Sequence, residues 1–231
     1  MSDDSPVRLL DDEQIRRFIC DGMLILHSCQ ESELQRTIRD KLEWVHKNDK
    51  DSEGNILPRV PELQTVLDGP VIRGALQSIL GDDFLLHPHR IMVPSEPLPP
   101  DQRAIALRGD EDGPPMAKGS ISYSHWHKDT YIPLGQARYH FPFRLFLFYF
   151  PQDTPIAMGP TRVIPGSQYQ DTISVEDHAY GIVPAGIQAG SCVLAAFDIG
   201  HAGMSNRADQ TRFMVKLSLI HISEPTRHRS I

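Results

Sequence analysis

The spacing of apolar residues changes once along this chain, near Gly81, and that change limits the fold more than any single motif. Before it, "DDEQIRRFICDGMLIL" carries Ile15, Phe18 and Ile19 on one helical face, breaks near Gly22 and runs into a strand. "ESELQRTIRDKLEWVHKND" places Leu34, Ile38, Leu42 and Val45 at helical spacing, and "PVIRGALQSILG" reads as a third helix closed by Gly81 as a C′ glycine. After it come short apolar runs divided by Pro- and Gly-bearing turns: "DFLLHPHRIMV", "SISYSHWHKD", "RLFLFYF", "TRVI", "SCVLAAF" and "TRFMVKL". Helices first and many strands afterwards argue against a parallel α/β sheet. They predict a mainly β chain, a sandwich or barrel with the N-terminal helices packed outside. With 231 residues and 40% apolar content the chain can bury one substantial core, so a single domain is expected. Residues 94–119, rich in Pro, Gly and charge, read as a long loop and a lid.

Several function classes are disfavoured at once. The net charge of -7 comes without a basic stripe, which argues against nucleic acid as a partner. No run approaches the roughly 18 apolar residues of a membrane span, and the acidic "MSDDSPVRLLDDEQ" is unlike a secretory signal, so a cytoplasmic protein is expected. Cys20, Cys29 and Cys192 are odd in number and never form a C-x-x-C pair, so they are expected as buried thiols rather than a disulfide or zinc framework. G-x-G-x-x-G, P-loop and G-x-S-x-G patterns are absent. A small-molecule substrate is the remaining expectation, and the sequence fixes no oligomeric state.

The chemistry concentrates in "SHWHKDTY". Alternate residues of a strand share a face about 6.6 Å apart, so His125, His127 and Asp129 point one way and Trp126 and Lys128 the other. Either an H-x-D pair, His127 with Asp129, or an H-x-H pair, His125 with His127, could hold one metal ion. A third ligand must come from elsewhere, and His201, after the apolar run "SCVLAAFDIG", is the best candidate. Eleven residues on, Arg212 alternates with Phe213 and Val215; if those two pack on the outer helices, Arg212 points inward, where a guanidinium needs a carboxylate. "HPH" at residues 87–89 is a second H-x-H, but Pro88 confines it to an edge strand or bulge, so it reads as structure or pocket wall. Lys216 shares the face of Arg212 and is expected to reach solvent near the open end of the barrel.

H-x-D at His127 and Asp129, "GPTRVIPGS" at residues 159–167, then His201 and Arg212 in that order and spacing resemble the phytanoyl-CoA dioxygenase family of Fe(II)/2-oxoglutarate oxygenases. The N-terminal helix-and-strand opening is similar too, so the resemblance spans residues 10–216. It implies a double-stranded β-helix (jelly roll, cupin-like) with outer helices. It implies Fe(II) on His127, Asp129 and His201, 2-oxoglutarate on Arg212, and O2 as oxidant, with no catalytic residue beyond the metal ligands. Tyr123 and His125 become pocket-lining residues. The implied reaction is hydroxylation of a small organic molecule or acyl thioester, with 2-oxoglutarate decarboxylated to succinate. Gln168 stands where many relatives carry histidine, and Gly203 where some place a hydroxyl. The competing expectations are a zinc hydrolase using His125, His127 and His201, and a non-catalytic β-barrel that binds a small molecule.

"LSLIHISEPTR", residues 217–227, resembles the conceptual translation of a transposon-based sequencing adapter at every position, and residues 228–231 fit the bases that follow in such libraries. The expectation is one oxygenase domain over residues 1–216, shortened at its C-terminus, with 217–231 as a non-native tail whose His221 and His228 are not ligands. "RFMVKLSLI" nonetheless alternates apolar residues at Phe213, Val215, Leu217 and Leu219, so the tail can prolong a strand by accident.

Overall fold

A computed structural model describes residues 6–27, 32–49, 54–103, 126–129, 144–174, 176–182, 184 and 187–221. The helices come first: α1 (Asp12–Asp21), α2 (Ser32–Asn48), α3 (Leu63–Asp68) and α4 (Pro70–Leu80). The ends of α1 are set locally. Asp11 and Gln14 form a reciprocal capping box, and Gly22 closes the helix at φ 75°, a left-handed conformation that costs glycine nothing. Of its three apolar residues only Phe18 is buried; Ile19 is exposed, its carbonyl accepting from the Gln168 amide and the Tyr169 hydroxyl. In α2, Ile38, Leu42 and Val45 are buried as their spacing predicts, and α4 starts at Pro70 and ends at Gly81.

Seven strands lie among the described residues, β1 between the first two helices and the rest after Gly81: β1 (Met23–Leu26), β2 (Phe84–Met92), β3 (Arg144–Phe150), β4 (Arg162–Ile164), β5 (Ser191–Ala196), β6 (Gly200–Ala202) and β7 (Val215–His221). Five form one antiparallel sheet in the order β1-β5-β3-β7-β2; β4 and β6 form a second, extended by bridges from His127 to His201 and from Val163 to Ile182. The register of the large sheet divides its faces. Leu145, Leu147 and Tyr149 stand opposite Leu219, Leu217 and Val215, one apolar row in the same core as α2 and α4. Phe146 and Phe148 stand opposite Ser218 and Lys216 on the other row, which faces the small sheet through Lys216 and Asp129. This is a jelly roll with outer helices, mainly β as the sequence predicts. Among the described residues no helix is long and apolar enough to cross a membrane.

Two local expectations change. Residues 94–103 are not a free loop: Ser95 exchanges backbone hydrogen bonds with Arg212 (2.8 and 3.0 Å), Leu98 donates to Asn206, and Arg103 pairs with Asp209. The rest of the expected lid, residues 104–119, lies outside the described residues. Cys192 is buried but Cys20 is exposed, while Cys29 lies outside the described residues. The adapter-like segment prolongs a strand, as its alternation allows. β7 continues through Leu217–His221 between β3 and β2, with Leu217 and Leu219 fully buried. Alternation alone accounts for this, because any segment that presents leucine to the row of Leu145 and Leu147 completes the ladder.

Candidate active site

Two short connections bring the site together. β5 ends at Ala196, and after a tight turn the chain enters the second sheet at Gly200, where a Cβ would lie 2.4 Å from Ile173 Cδ1. His201 therefore sits in β6 rather than at the end of the central strand. Its backbone exchanges two hydrogen bonds with His127 (3.0 and 2.9 Å), so the two side chains lie side by side on one face. The ring centroids are 4.3 Å apart. Asp129, two residues on from His127, shares that face: Oδ1 is 3.5 Å from His127 Nε2 and Oδ2 3.8 Å from His201 Nε2. One ligand atom from each of the three lies within 4.8 Å of the others, a set that can hold one divalent ion on one side and leave the opposite side open.

On the opposite face, Lys128 anchors the segment. Its ammonium donates to the carbonyls of Ser167 (2.8 Å) and Gln170 and lies 3.3 Å from Asp198, with the side chain 8% exposed. It points away from the ligands, as alternation predicts, yet is buried rather than solvated. Trp126 lies beneath the Arg162 guanidinium. His125 and Tyr123 lie outside the described residues.

The protonation states favour metal binding. His201 Nδ1 faces the Ile199 carbonyl at 3.0 Å; a carbonyl only accepts, so Nδ1 carries the proton and Nε2 turns its lone pair to the cluster. Burial pushes His201 down to about 4, against the Ile199 bond and with help from the Lys216 charge, so the imidazole is neutral at pH 7. Burial alone would raise Asp129, but hydrogen bonds from His127 and Lys216 and the Lys216 charge outweigh it and hold the carboxyl well below its ordinary range.

Lys216 contradicts its expected place. It is buried on the inner row, with Nζ 2.5 Å from Asp129 Oδ2 and 4.0 Å from the Phe146 ring centroid. The parity that puts Arg212 inside puts Lys216 inside too, and Asp129 supplies the countercharge. Arg212 is 3% exposed; one nitrogen donates to Gly159 O at 2.9 Å, Nε has no partner, and the guanidinium forms no ion pair among the described residues. Burial lowers it to about 10, still cationic at pH 7. Gly159 can present its carbonyl there because it sits at φ 67°, where a Cβ would lie 2.5 Å from Met204 O. A buried guanidinium with an unused Nε–H fits an incoming carboxylate. Phe213, the neighbour of Arg212, packs edge-on against His46 of α2, as the inward reading of Arg212 requires.

Gln168 spans to α1, its amide donating to Ile19 O at 3.1 Å, so in this chain the position braces the first helix. Pro88 lies in the register shift of β2, an edge strand, and His89 Nδ1 meets Ser218 Oγ at 3.0 Å on the inner row.

The sequence profile of the phytanoyl-CoA dioxygenase (PhyH) family matches residues 114–214, a span that contains His127, Asp129, His201 and Arg212. Over that span the chain is PhyH-like. No curated protein matches it in sequence. Among solved structures, EctD from S. alaskensis with 2-oxoglutarate and 5-hydroxyectoine is similar with a TM-score of 0.68 at 15% identity, over 96% of this chain and 79% of that one. HygX from Streptomyces hygroscopicus, with nickel and 2-oxoglutarate bound, gives 0.67 at 11% identity over 95% and 89%. SnoK, a non-heme alpha ketoglutarate dependent carbocyclase from nogalamycin biosynthesis, gives 0.65 at 16% over 91% and 84%. At these identities the likeness is one of fold, and this chain shares the jelly roll of all three.

Proposed function

We propose that the protein is an Fe(II)- and 2-oxoglutarate-dependent oxygenase that hydroxylates a small organic molecule or acyl thioester. His127, Asp129 and His201 hold the metal, and Arg212 takes the distal carboxylate of 2-oxoglutarate. The observation that carries this reading is Asp129 beside two imidazoles on one face, together with a buried guanidinium that has no carboxylate partner among the described residues. The family match and the 2-oxoglutarate in EctD and HygX support the same choice. A zinc hydrolase would use His125 in place of Asp129; the closeness of Asp129 to both imidazoles favours the oxygenase.

Bound iron and 2-oxoglutarate supply the oxidising chemistry, in which O2 provides the inserted oxygen and the 2-oxo acid leaves as succinate and carbon dioxide. The chain supplies position and environment. The Ile199 carbonyl fixes the His201 tautomer, Lys128 ties the His127–Asp129 segment to the 3-10 turn at Ser167–Tyr169, and Phe146 and Phe148 form a dry wall beside the cluster.

Anaerobic dialysis against Fe(II) tests the ligand set: one iron per chain is expected in the unmodified protein and none in Asp129→Ala. An Asp129→Ala protein that keeps a tightly bound zinc ion would overturn the reading.

A further inference from the structure

On the same inner row as Phe146, at the start of β3, stands Arg144. Its guanidinium lies 3.8 Å over the Phe197 ring, Phe197 packs on Phe146 at 4.4 Å, and Phe146 meets His201 at 6.1 Å. Arg144 is thus separated from the candidate metal ligands by two packed rings. It is half-buried, forms no ion pair among the described residues, and its buried Nε–H has no hydrogen-bond partner.

The contact with His87 is the informative one. The His89 amide donates to His87 Nδ1 at 3.1 Å, so Nδ1 carries the lone pair and the proton of the neutral ring is on Nε2. Arg144 Nη2 lies 3.2 Å from that same Nε2. Arginine has no acceptor, so two N–H donors converge with no acceptor between them. Burial and the charges of Arg144 and Arg90 lower His87, in keeping with a neutral ring in a positive field.

We propose that Arg144 and His87 form an oxyanion-binding subsite, and that the primary substrate of the oxygenase carries a carboxylate that docks there; the substrate half of the proposal rests on the oxygenase reading. An oxygen seated beside this pair, within hydrogen-bond reach of both Nη2 and Nε2, accepts from both, and the unused Nε–H of Arg144 completes a fork. Arg144 is the one formal cation that touches His87 Nε2, since Lys216 is paired with Asp129 and the Arg90 guanidinium is turned to the His87 and Leu86 carbonyls. That balance suits a monoanionic carboxylate better than a phosphate dianion. Phe197, the partly exposed ring under Arg144, gives the apolar part of such a molecule a surface to lie on.

The test uses metal-free protein, so it stands apart from iron and 2-oxoglutarate binding. Sodium acetate, and separately inorganic phosphate, is titrated at constant ionic strength while NMR follows the Arg144 Nε–H and the His87 ring nitrogens. Acetate should shift both saturably, bind at least tenfold more weakly to Arg144→Gln, and bind unchanged to Arg212→Gln. His201 ring signals report whether each variant is folded; should Arg144→Gln fail to fold, His87→Phe gives the second reading, with Arg144 Nε–H still visible and acetate weakened severalfold. No saturable shift, or acetate affinity in the Arg144 and His87 variants equal to that of the unmodified protein, overturns the subsite. Phosphate binding more tightly than acetate at the same signals overturns the carboxylate assignment. If acetate binds as described while iron and 2-oxoglutarate do not bind, the oxygenase reading has failed and the subsite has not.

Discussion

Lowering the pH should destabilise the metal-free protein through His201, by an amount that follows from its burial. The side chain is 6% exposed, and its folded pKa of about 4 lies below the ordinary 6.5. Between those values the unfolded chain binds a proton that the folded one refuses, so stability is fully present above pH 6.5 and is lost as pH falls towards 4. The full difference corresponds to about 3 kcal/mol, of which about 2 kcal/mol should be gone by pH 5. Urea unfolding at intervals from pH 7.5 to 4.5, for the unmodified protein and His201→Gln, isolates this contribution, because His87 and His89, also lowered by burial, are common to both. The variant should be less stable at pH 7 and lose less stability on acidification. Parallel stability curves for the two proteins would refute the claim that His201 is held neutral by burial.

Other consequences follow from single contacts. Leu219→Ala should cost about 2–5 kcal/mol, as a large-to-small change at a fully buried strand position, and ending the chain at Lys216 should abolish cooperative unfolding; a truncated chain that unfolds with the same midpoint would show that Leu217–His221 is not part of the sheet. Lys128→Met should leave the fold intact but weaken Fe(II) binding at least tenfold, since it frees the ligand-bearing segment from Ser167 and Gln170; unchanged affinity by dialysis would remove Lys128 from the account. Arg212→Gln should abolish 2-oxoglutarate binding by calorimetry while iron still binds, and retention of both would separate Arg212 from the co-substrate.

The parts of this structure that were legible in the sequence are those where local rules and global packing agree. α1, α2 and α4 follow from caps and helical spacing, and β2, β3, β5 and β7 from apolar runs between turns. His127 and Asp129 share a face because alternation requires it, whereas their union with His201 needs a long-range pairing within the small sheet that no local pattern encodes. β6 was missed because three residues around Gly200 are too few to show a period, although the glycine marks a close approach to Ile173. Lys216 was misplaced for the opposite reason. Parity put it inside, but its charge argued for solvent, and the countercharge on Asp129 lies 87 positions earlier in the chain. The meeting of Arg144 with His87 depends on the bulge at Pro88, and the sequence alone gave no register for β2.

The central claim is that His127, Asp129, His201 and Arg212 together hold iron and 2-oxoglutarate. Anaerobic addition of Fe(II) and then 2-oxoglutarate should produce the weak visible charge-transfer band of the chelate in the unmodified protein, and the band should be missing from Asp129→Ala and from Arg212→Gln at matched concentrations. Correctly folded protein that binds Fe(II) yet shows no band at saturating 2-oxoglutarate would contradict it.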